Sequence, residues 1–399
     1  MAGTRSKDNL WFDAIVGGAG FAGSVVAERL AARGKRVLLV EKRSHIGGNA
    51  YDEYDENGVL VHRYGPHIFH TKIKRVWDYL SEFTEWRIYQ HRVLGVIEGK
   101  KVPIPFNMNS LRVLFPENFA SKLEQKLVNS FGYGVKVPIL DMKKSDDPDV
   151  KFLADYVYEK VFLHYTMKQW GVKPEEIDPS VTARVPVYVS RDDRYFTDPY
   201  QAMPLHGYTS LFENMLFESK SARNIKVLLN TDFREIVSVG EDGYRVFGMK
   251  FDGALVYTGP VDYLFDYAHG VLPYRSLRFD FKNYPVEYFQ EAGTVNYPNE
   301  YDFTRITEFK HLSGQKHPTT TVVYEYPQNY EVGKNEPYYP VPGEDNQKKY
   351  QKYLKEVEKH EGLFLVGRLA EYRYYNMDQI VERALNVAEE VLRFLERVS

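Results

Sequence analysis

Glycines set between two short apolar strands constrain this chain more than any other feature. Ala14-Ile15-Val16 reads as a buried strand, Gly18-Ala19-Gly20-Phe21-Ala22-Gly23 as a turn opening a helix over residues 24–33, and Val37-Leu38-Leu39-Val40 as a second strand ending at Glu41. Strand, glycine turn, helix, strand and acid in that order form the dinucleotide-binding βαβ fingerprint. Gly18 permits the tight turn, Gly20 lets the backbone approach a pyrophosphate, and Gly23 lets the helix lie close to the sheet. The phosphates then sit at the positive end of the helix, and Glu41 is placed to accept hydrogen bonds from a ribose diol. The pattern commits the chain to a cofactor with an adenosine diphosphate half.

Composition narrows the setting. With 399 residues, 43% of them hydrophobic, the chain has room for two or three domains with real cores. Its 52 basic and 55 acidic residues leave a formal net charge of -3, so no overall field favours nucleic acid or an anionic membrane. Any anion must be held by a local site. The absence of cysteine excludes disulfides, thiolate metal sites and cysteine nucleophiles, and no metal is expected. No apolar run approaches the ~20 residues of a membrane span and residues 1–11 lack a signal-peptide core, so a soluble cytoplasmic protein is expected. The 32 tyrosines suit walls that stack on a base or sugar while offering a hydroxyl, although most must fill cores.

Along the chain, a second glycine pair, Gly47-Gly48, follows the second strand, and a rigid loop, Tyr64-Gly65-Pro66-His67-Ile68-Phe69-His70-Thr71, precedes a helix over 74–83. Residues 87–105 alternate as a hairpin. From 111 to 170 the apolar spacing becomes helical, through Phe119, Leu123, Leu127 and Phe131 and later Phe152, Tyr156, Val161 and Tyr165. Strand character returns at 185–189, a helix is expected over 206–217 and a strand over 226–230, and turn signals at Asp242-Gly243 and Asp252-Gly253 separate β-like runs. Residues 277–310 and 319–326 alternate as a second, antiparallel sheet. The strand 363–368 and the amphipathic helix 377–398 return to the first domain.

One dinucleotide fingerprint leaves NAD(P) or FAD, and Gly47-Gly48 together with the late strand ending in Gly367-Arg368 favours FAD, whose extended pyrophosphate and flavin need more of the fold to close around them. Four further clusters are candidates for chemistry: Tyr165-Thr166-Met167-Lys168-Gln169-Trp170, which by spacing alone reads better as a helix end packing two aromatics, Arg184 in a polar loop, Thr304-Arg305-Ile306-Thr307-Glu308, and Tyr372-Arg373-Tyr374-Tyr375-Asn376-Met377-Asp378. Two arginines near aromatics are what a diphosphate needs for bidentate neutralisation.

These segments resemble the bacterial UDP-galactopyranose mutases over nearly the whole chain. The matching motifs are Gly18 to Gly23, HIGGNAYD from His45, YGPHIFHT from Tyr64, YTMKQWG from Tyr165, DDRYFTDPYQAMPLHGYT from Asp192, YTGP from Tyr257, TRITEFKH from Thr304 and GRLAEYRYYNMDQ from Gly367. The resemblance implies an α/β fold: a Rossmann-like FAD-binding domain with an inserted helical domain and an antiparallel β-sheet domain. On it, residues 1–86, 206–275 and 331–399 are assigned to the FAD-binding domain and 87–106, 185–205 and 276–330 to the sheet domain. Residues 107–184 form the helical domain, with a mobile loop near 173–184.

The resemblance further implies interconversion of UDP-galactopyranose and UDP-galactofuranose, by attack of reduced FAD N5 on the anomeric carbon and a flavin-iminium intermediate. Arg184 and Arg305 are then expected to hold the diphosphate. Tyr165 is expected to stack on uracil beside Phe162 and Gln169, with Trp170, Tyr195 and Phe196 at the sugar end, Tyr326 and Tyr374 donating to phosphate and Asn376 near both. His67 and His70 are expected to face the isoalloxazine. Gly18, Gly20, Phe21, Gly23, Glu41, Lys42, Gly48, Asn49, His67, Ile68, Arg368, Tyr375 and Met377 are the expected FAD contacts. A homo-oligomer without nucleic-acid or membrane partners is also expected.

Three departures mark this chain within the resemblance. Gly17 stands where relatives carry an apolar residue and predicts an early strand end. Asn376 replaces an aspartate common in the family, and residues 237–254 form a longer excursion. A mutase for another nucleotide sugar, such as a UDP-N-acetylgalactosamine or dTDP-fucose form, is the near alternative, and an amine-oxidase-like FAD oxidoreductase the distant one.

Overall fold

The computed structural model describes residues 11–171, 186–240 and 243–398. Its organising element is a five-stranded parallel sheet in the order Ile225–Leu228, Val37–Val40, Ala14–Gly17, Ala254–Tyr257, Leu363–Leu365. The three central strands are buried along their whole length, which is why they read as unbroken apolar runs. Helix Phe21–Ala32 and helix Met377–Val398 share one face of this sheet and one core. The C-terminal helix buries Val381, Ala384, Leu385, Ala388, Val391 and Leu395, the three-to-four spacing of an amphipathic stripe.

The opposite face is covered by the excursion after residue 236, a three-stranded meander of Val237–Gly240, Gly243–Val246 and Met249–Phe251. Its Tyr244, Val246 and Phe251 pack with Ile15 and Leu255. Beside it lies helix Glu344–Val357, for which the sequence reading had no element. Its signal was present in acids in the first turn and buried Tyr350 and Tyr353 at helical spacing. Gly17 does not end its strand early, since the pairing runs through Gly17 to Tyr257 and Val40. A Cβ at Gly17 would lie 2.6 Å from the Phe233 ring, so the glycine makes room for that ring.

A seven-stranded sheet stands beside the parallel one, in the order Tyr339–Pro340, Tyr274–Tyr284, Thr320–Asn329, Arg305–Glu308, Thr294–Asn296, Val93–Ile97, Lys100–Ile104. All its pairings are antiparallel except Thr294–Asn296 beside Val93–Ile97. The assignment of residues 185–205 to this sheet is corrected. Pro186–Tyr188 pairs with Lys136–Pro138, and Tyr200–Pro204 pairs with Phe69–Thr71 and Trp86–Ile88, leaving only the isolated bridge Arg92 to Arg194. The hairpin is likewise narrower than residues 87–105, because Trp86–Ile88 leaves for that third sheet.

The helical region starts at Met108–Leu114, where the Asn107 side chain accepts the Asn109 and Ser110 N–H groups and Ser110 answers with its hydroxyl. Glu117–Phe131 and Pro148–Val157 pack Leu123, Leu127, Leu153 and Val157 into a separate core. The chain then passes through a wide turn, Tyr158–Leu163, into helix His164–Trp170. That helix stops at Gly171 with φ of +64°, and the Arg275 guanidinium donates to its last carbonyls, Gln169 at 3.0 Å and Lys168 at 3.2 Å.

Candidate active site

The cofactor end is built from backbone. Gly18 has φ of +99°, and a Cβ there would fall 2.0 Å from Thr258 Oγ1. A Cβ on Gly48 would lie 2.7 Å from the Gly20 Cα, so two glycine backbones meet face to face at the helix start. Gly23 allows the helix against the turn, since a Cβ would sit 1.8 Å from the Gly18 carbonyl oxygen. Glu41, 6% exposed, accepts the Ala19 N–H at 2.8 Å through one oxygen and the Arg43 N–H at 2.9 Å through the other. It therefore fixes the glycine turn as well as lining the cavity.

These groups open on a cavity of ≈ 680 Å³, in the range of cofactor sites. Among the residues expected to touch the cofactor, Gly18, Gly20, Phe21, Glu41, Lys42, Gly48, Asn49, His67, Arg368, Tyr375 and Met377 line it. Gly23 acts behind the wall, and Ile68 packs against the core instead. Thr258, Tyr263 and the segment 330–338 also line it, and Glu336 from that segment pairs with Lys42 Nζ at 2.8 Å. No motif in the sequence points to this strap. A cradle of glycine backbone, a helix N-terminus and a buried acid fits a dinucleotide.

His67 sits on the wall as a neutral group. Its ring Nδ1 lies 2.9 Å from the Gly65 carbonyl oxygen, which places the proton on Nδ1, and its backbone N–H donates to His62 Nδ1 at 3.0 Å. Burial holds both imidazoles at about 3, with Arg368 and Arg305 adding to the effect at His67. His70 differs from the expectation. It lies on the strand Phe69–Thr71, is absent from the cavity wall, holds Asp198 at 2.6 Å and stacks on Phe196 at 3.5 Å. Strand alternation sets it on the face opposite the buried Phe69 and Thr71.

Next to this wall lies a second cleft made of side chains. Arg305 donates through Nε to Glu325 at 2.8 Å, and Glu325 is 1% exposed. Burial opposes the arginine's charge, but Glu325 and the facing hydroxyls of Tyr165 and Tyr339 raise its pKa above the ordinary value. Tyr339 stacks on Tyr374 at 5.9 Å and meets Trp170 edge-on at 6.5 Å. Arg368 spans both regions, its guanidinium 5.0 Å from the Tyr339 ring and 4.7 Å from the Tyr374 ring while donating to the Tyr375 carbonyl at 2.7 Å. Tyr195 borders the cleft, packed edge-on to Phe196 at 4.9 Å. Asn376 follows Tyr374 and Tyr375 and is half-buried, its backbone N–H bonded to Gln379.

Two expected substrate contacts are corrected. Tyr326 points to the other side of the sheet: Glu325 is in register with Arg305, so the next residue faces away, where Arg278 lies over its ring at 3.9 Å. Tyr339, which the sequence reading missed, stands on the Arg305 side. Phe162 is 2% exposed inside the helical core, where its ring cannot serve as a face for a base. Glu325 was also missed, although an acid inside the apolar run Val322-Val323-Tyr324 signals a buried cationic partner. Arg184 and the loop 173–184 lie outside the described residues.

Fold and cavities together define a Rossmann-type dinucleotide-binding protein with a tyrosine-lined cleft set against the cofactor site. The comparisons narrow this class. The chain matches the family description UDP-galactopyranose mutase over residues 160–374 and NAD(P)-binding Rossmann-like domain over residues 15–83. A UDP-galactopyranose mutase of Mycoplasma pneumoniae is 36% identical over 96% of each chain. A probable UDP-galactopyranose mutase of Klebsiella pneumoniae is 34% identical over 95% of this chain and 94% of its own. A dTDP-fucopyranose mutase of Escherichia coli is 31% identical over 94% of this chain and 97% of its own. The crystal structure of a reduced UDP-galactopyranose mutase superposes with a TM-score of 0.69 at 18% identity, covering 96% of both chains. Putrescine oxidase shares the fold more distantly, with a TM-score of 0.58 at 14% identity over 96% of this chain and all of its own. The chain belongs to the UDP-galactopyranose mutase family.

Proposed function

We propose that this chain interconverts UDP-galactopyranose and UDP-galactofuranose on reduced FAD. The observation that carries the reading is the placement of the Arg305–Glu325 pair, with Tyr165, Tyr339 and Tyr374, directly beside the His67 and Arg368 wall of the dinucleotide cavity. When bound in reduced form, the flavin supplies an electron-rich nitrogen for attack on the anomeric carbon. Everything else falls to side chains. Arg305, kept charged by Glu325, neutralises the diphosphate and takes up the charge that grows as UDP departs. Tyr165 gives the base a flat ring, Tyr339 and Tyr374 offer hydroxyls to the phosphates, and Trp170, Tyr195 and Asn376 bound the sugar. His67, neutral at physiological pH, orients by hydrogen bonding and carries no proton to give up through its bare nitrogen. Arg184 is proposed as the second diphosphate cation.

The test is conversion followed by chromatography. Chemically reduced holoenzyme is expected to bring either UDP-sugar to one equilibrium mixture, whereas no conversion after reduction, or equal conversion without it, contradicts the proposal. The similarity to the dTDP-fucopyranose mutase supports a second reading, a different nucleotide sugar. Discrimination at one sugar substituent runs from about 1–3 kcal/mol for a methylene in an apolar pocket to roughly 10⁴-fold or more for a hydroxyl that the site hydrogen-bonds, so side-by-side turnover of a nucleotide-sugar panel separates the two.

A further inference from the structure

Helix His164–Trp170 carries Tyr165 into the cleft, and one residue on its outer side ties it to the strand that carries Arg305. The Lys168 ammonium donates to three backbone carbonyls of one loop, those of Tyr297, of Tyr301 at 2.9 Å and of Phe303 at 3.2 Å. All three of its donors are thereby used. The loop leads within two residues into Arg305. The link spans about 130 residues of sequence, and it joins the element that presents the base-stacking ring to the element that presents the phosphate-binding arginine.

We propose that Lys168 is a positioning residue that sets the spacing between Tyr165 and Arg305 without touching the substrate. This rests on the nucleotide-sugar reading above and adds a residue and a pH dependence to it. The surroundings are asymmetric. Glu300 and Asp302 on the loop favour the ammonium, while Arg275, donating to the Lys168 and Gln169 carbonyls from the neighbouring strand, brings a second cation to the same helix end. His164, one turn earlier, is bonded to Asn299 at 2.9 Å, and the Tyr297 and Tyr301 rings pack edge-on at 4.9 Å on the loop itself. Burial outweighs the acids and lowers the lysine to about 8. The clamp is therefore charged at pH 7 and loses its charge and one donor as pH rises through about 8. Nucleotide affinity should weaken over that window while the chemical step, made elsewhere, changes little.

The experiment measures UDP binding by calorimetry, with KM and kcat for UDP-galactofuranose, on wild-type, K168M and K168R holoenzymes at pH 7.0 and 8.8. K168M is expected to raise the Kd for UDP and the KM about tenfold at pH 7, with kcat within about twofold. The wild-type Kd should rise severalfold by pH 8.8, K168M should be flat, and K168R, charged throughout, should stay near wild type and also be flat. An unchanged Kd and KM in K168M overturns the proposal, as does a rise with pH as large in K168M as in the wild type. Ionisation of uracil is common to all three proteins and cancels in this comparison. Should K168M fail to hold its cofactor, parallel pH profiles in wild type and K168R overturn the proposal, and divergence at pH 8.8 supports it. Wild-type protein that binds no UDP at all overturns the nucleotide-sugar reading itself, whereas wild-type binding with K168M unaffected overturns the Lys168 role alone.

Discussion

The cofactor cavity and the substrate cleft share a wall but are built in opposite ways. The cavity is shaped by main chain: at Gly18, Gly23 and Gly48 a Cβ would collide with a neighbouring atom, and all three lie within residues 18–48. The cleft is shaped by the ends of side chains from Tyr165, Arg305, Glu325, Tyr339 and Tyr374, brought together by sheet register and helix packing. A site made of backbone announces itself as spacing in the sequence. One made of side chains depends on which face of each strand a residue takes, and a single step of register moves a group to the far side of the sheet.

Each difference between the two regions can be pressed by substitution. The largest effect is expected from R305A, which removes the cleft's central charge and leaves Glu325 buried and unpaired. A loss of about a thousandfold in kcat/KM, or about 4 kcal/mol, is expected with cofactor absorbance retained. Steady-state kinetics on the flavin-loaded protein checks it, and near-normal activity would remove the diphosphate from this cleft. L385A, at a position that does not line the cofactor cavity and sits in the C-terminal helix packed on helix Phe21–Ala32, should cost about 2–5 kcal/mol of stability, read from denaturant midpoints. It should leave kcat unchanged at temperatures where the protein stays folded.

A pH effect on stability follows from the buried imidazoles. His62, His67 and His91 are each held at about 3 in the folded chain by burial, against an ordinary value near 6.5. The unfolded chain binds more protons between those values, so their contribution is fully present above about pH 6.5 and is lost as pH falls toward 3. The slope is about 1.4 kcal/mol per pH unit for each imidazole. Unfolding at pH 7.5, 6 and 5 checks this, and H62N should flatten the dependence by one such contribution.

Much of the fold was legible because the parallel strands are uniformly apolar and the C-terminal helix has a clean stripe. The strap 330–338 was not, since it presents no apolar run or recognised motif, and helix Glu344–Val357 was overlooked because its signal is confined to first-turn acids and two tyrosines. In the site, Arg305 and Tyr374 could be named from their clusters. Tyr326 was misplaced and Tyr339 missed because both lie in tyrosine-rich stretches and only register tells their faces apart. His70 and Phe162 failed for a related reason: adjacency in a motif does not fix which way a side chain points.

The comparison is tested most directly by deleting one oxygen on each side of the seven-stranded sheet. UDP binding to Y339F and Y326F holoenzymes, measured by titration under identical conditions, should show Y339F weakened about tenfold, on the order of one charge-assisted hydrogen bond. Y326F should stay within about twofold of wild type. The reverse order, or equal losses in both, would contradict the placement of the nucleotide site on the Arg305 face.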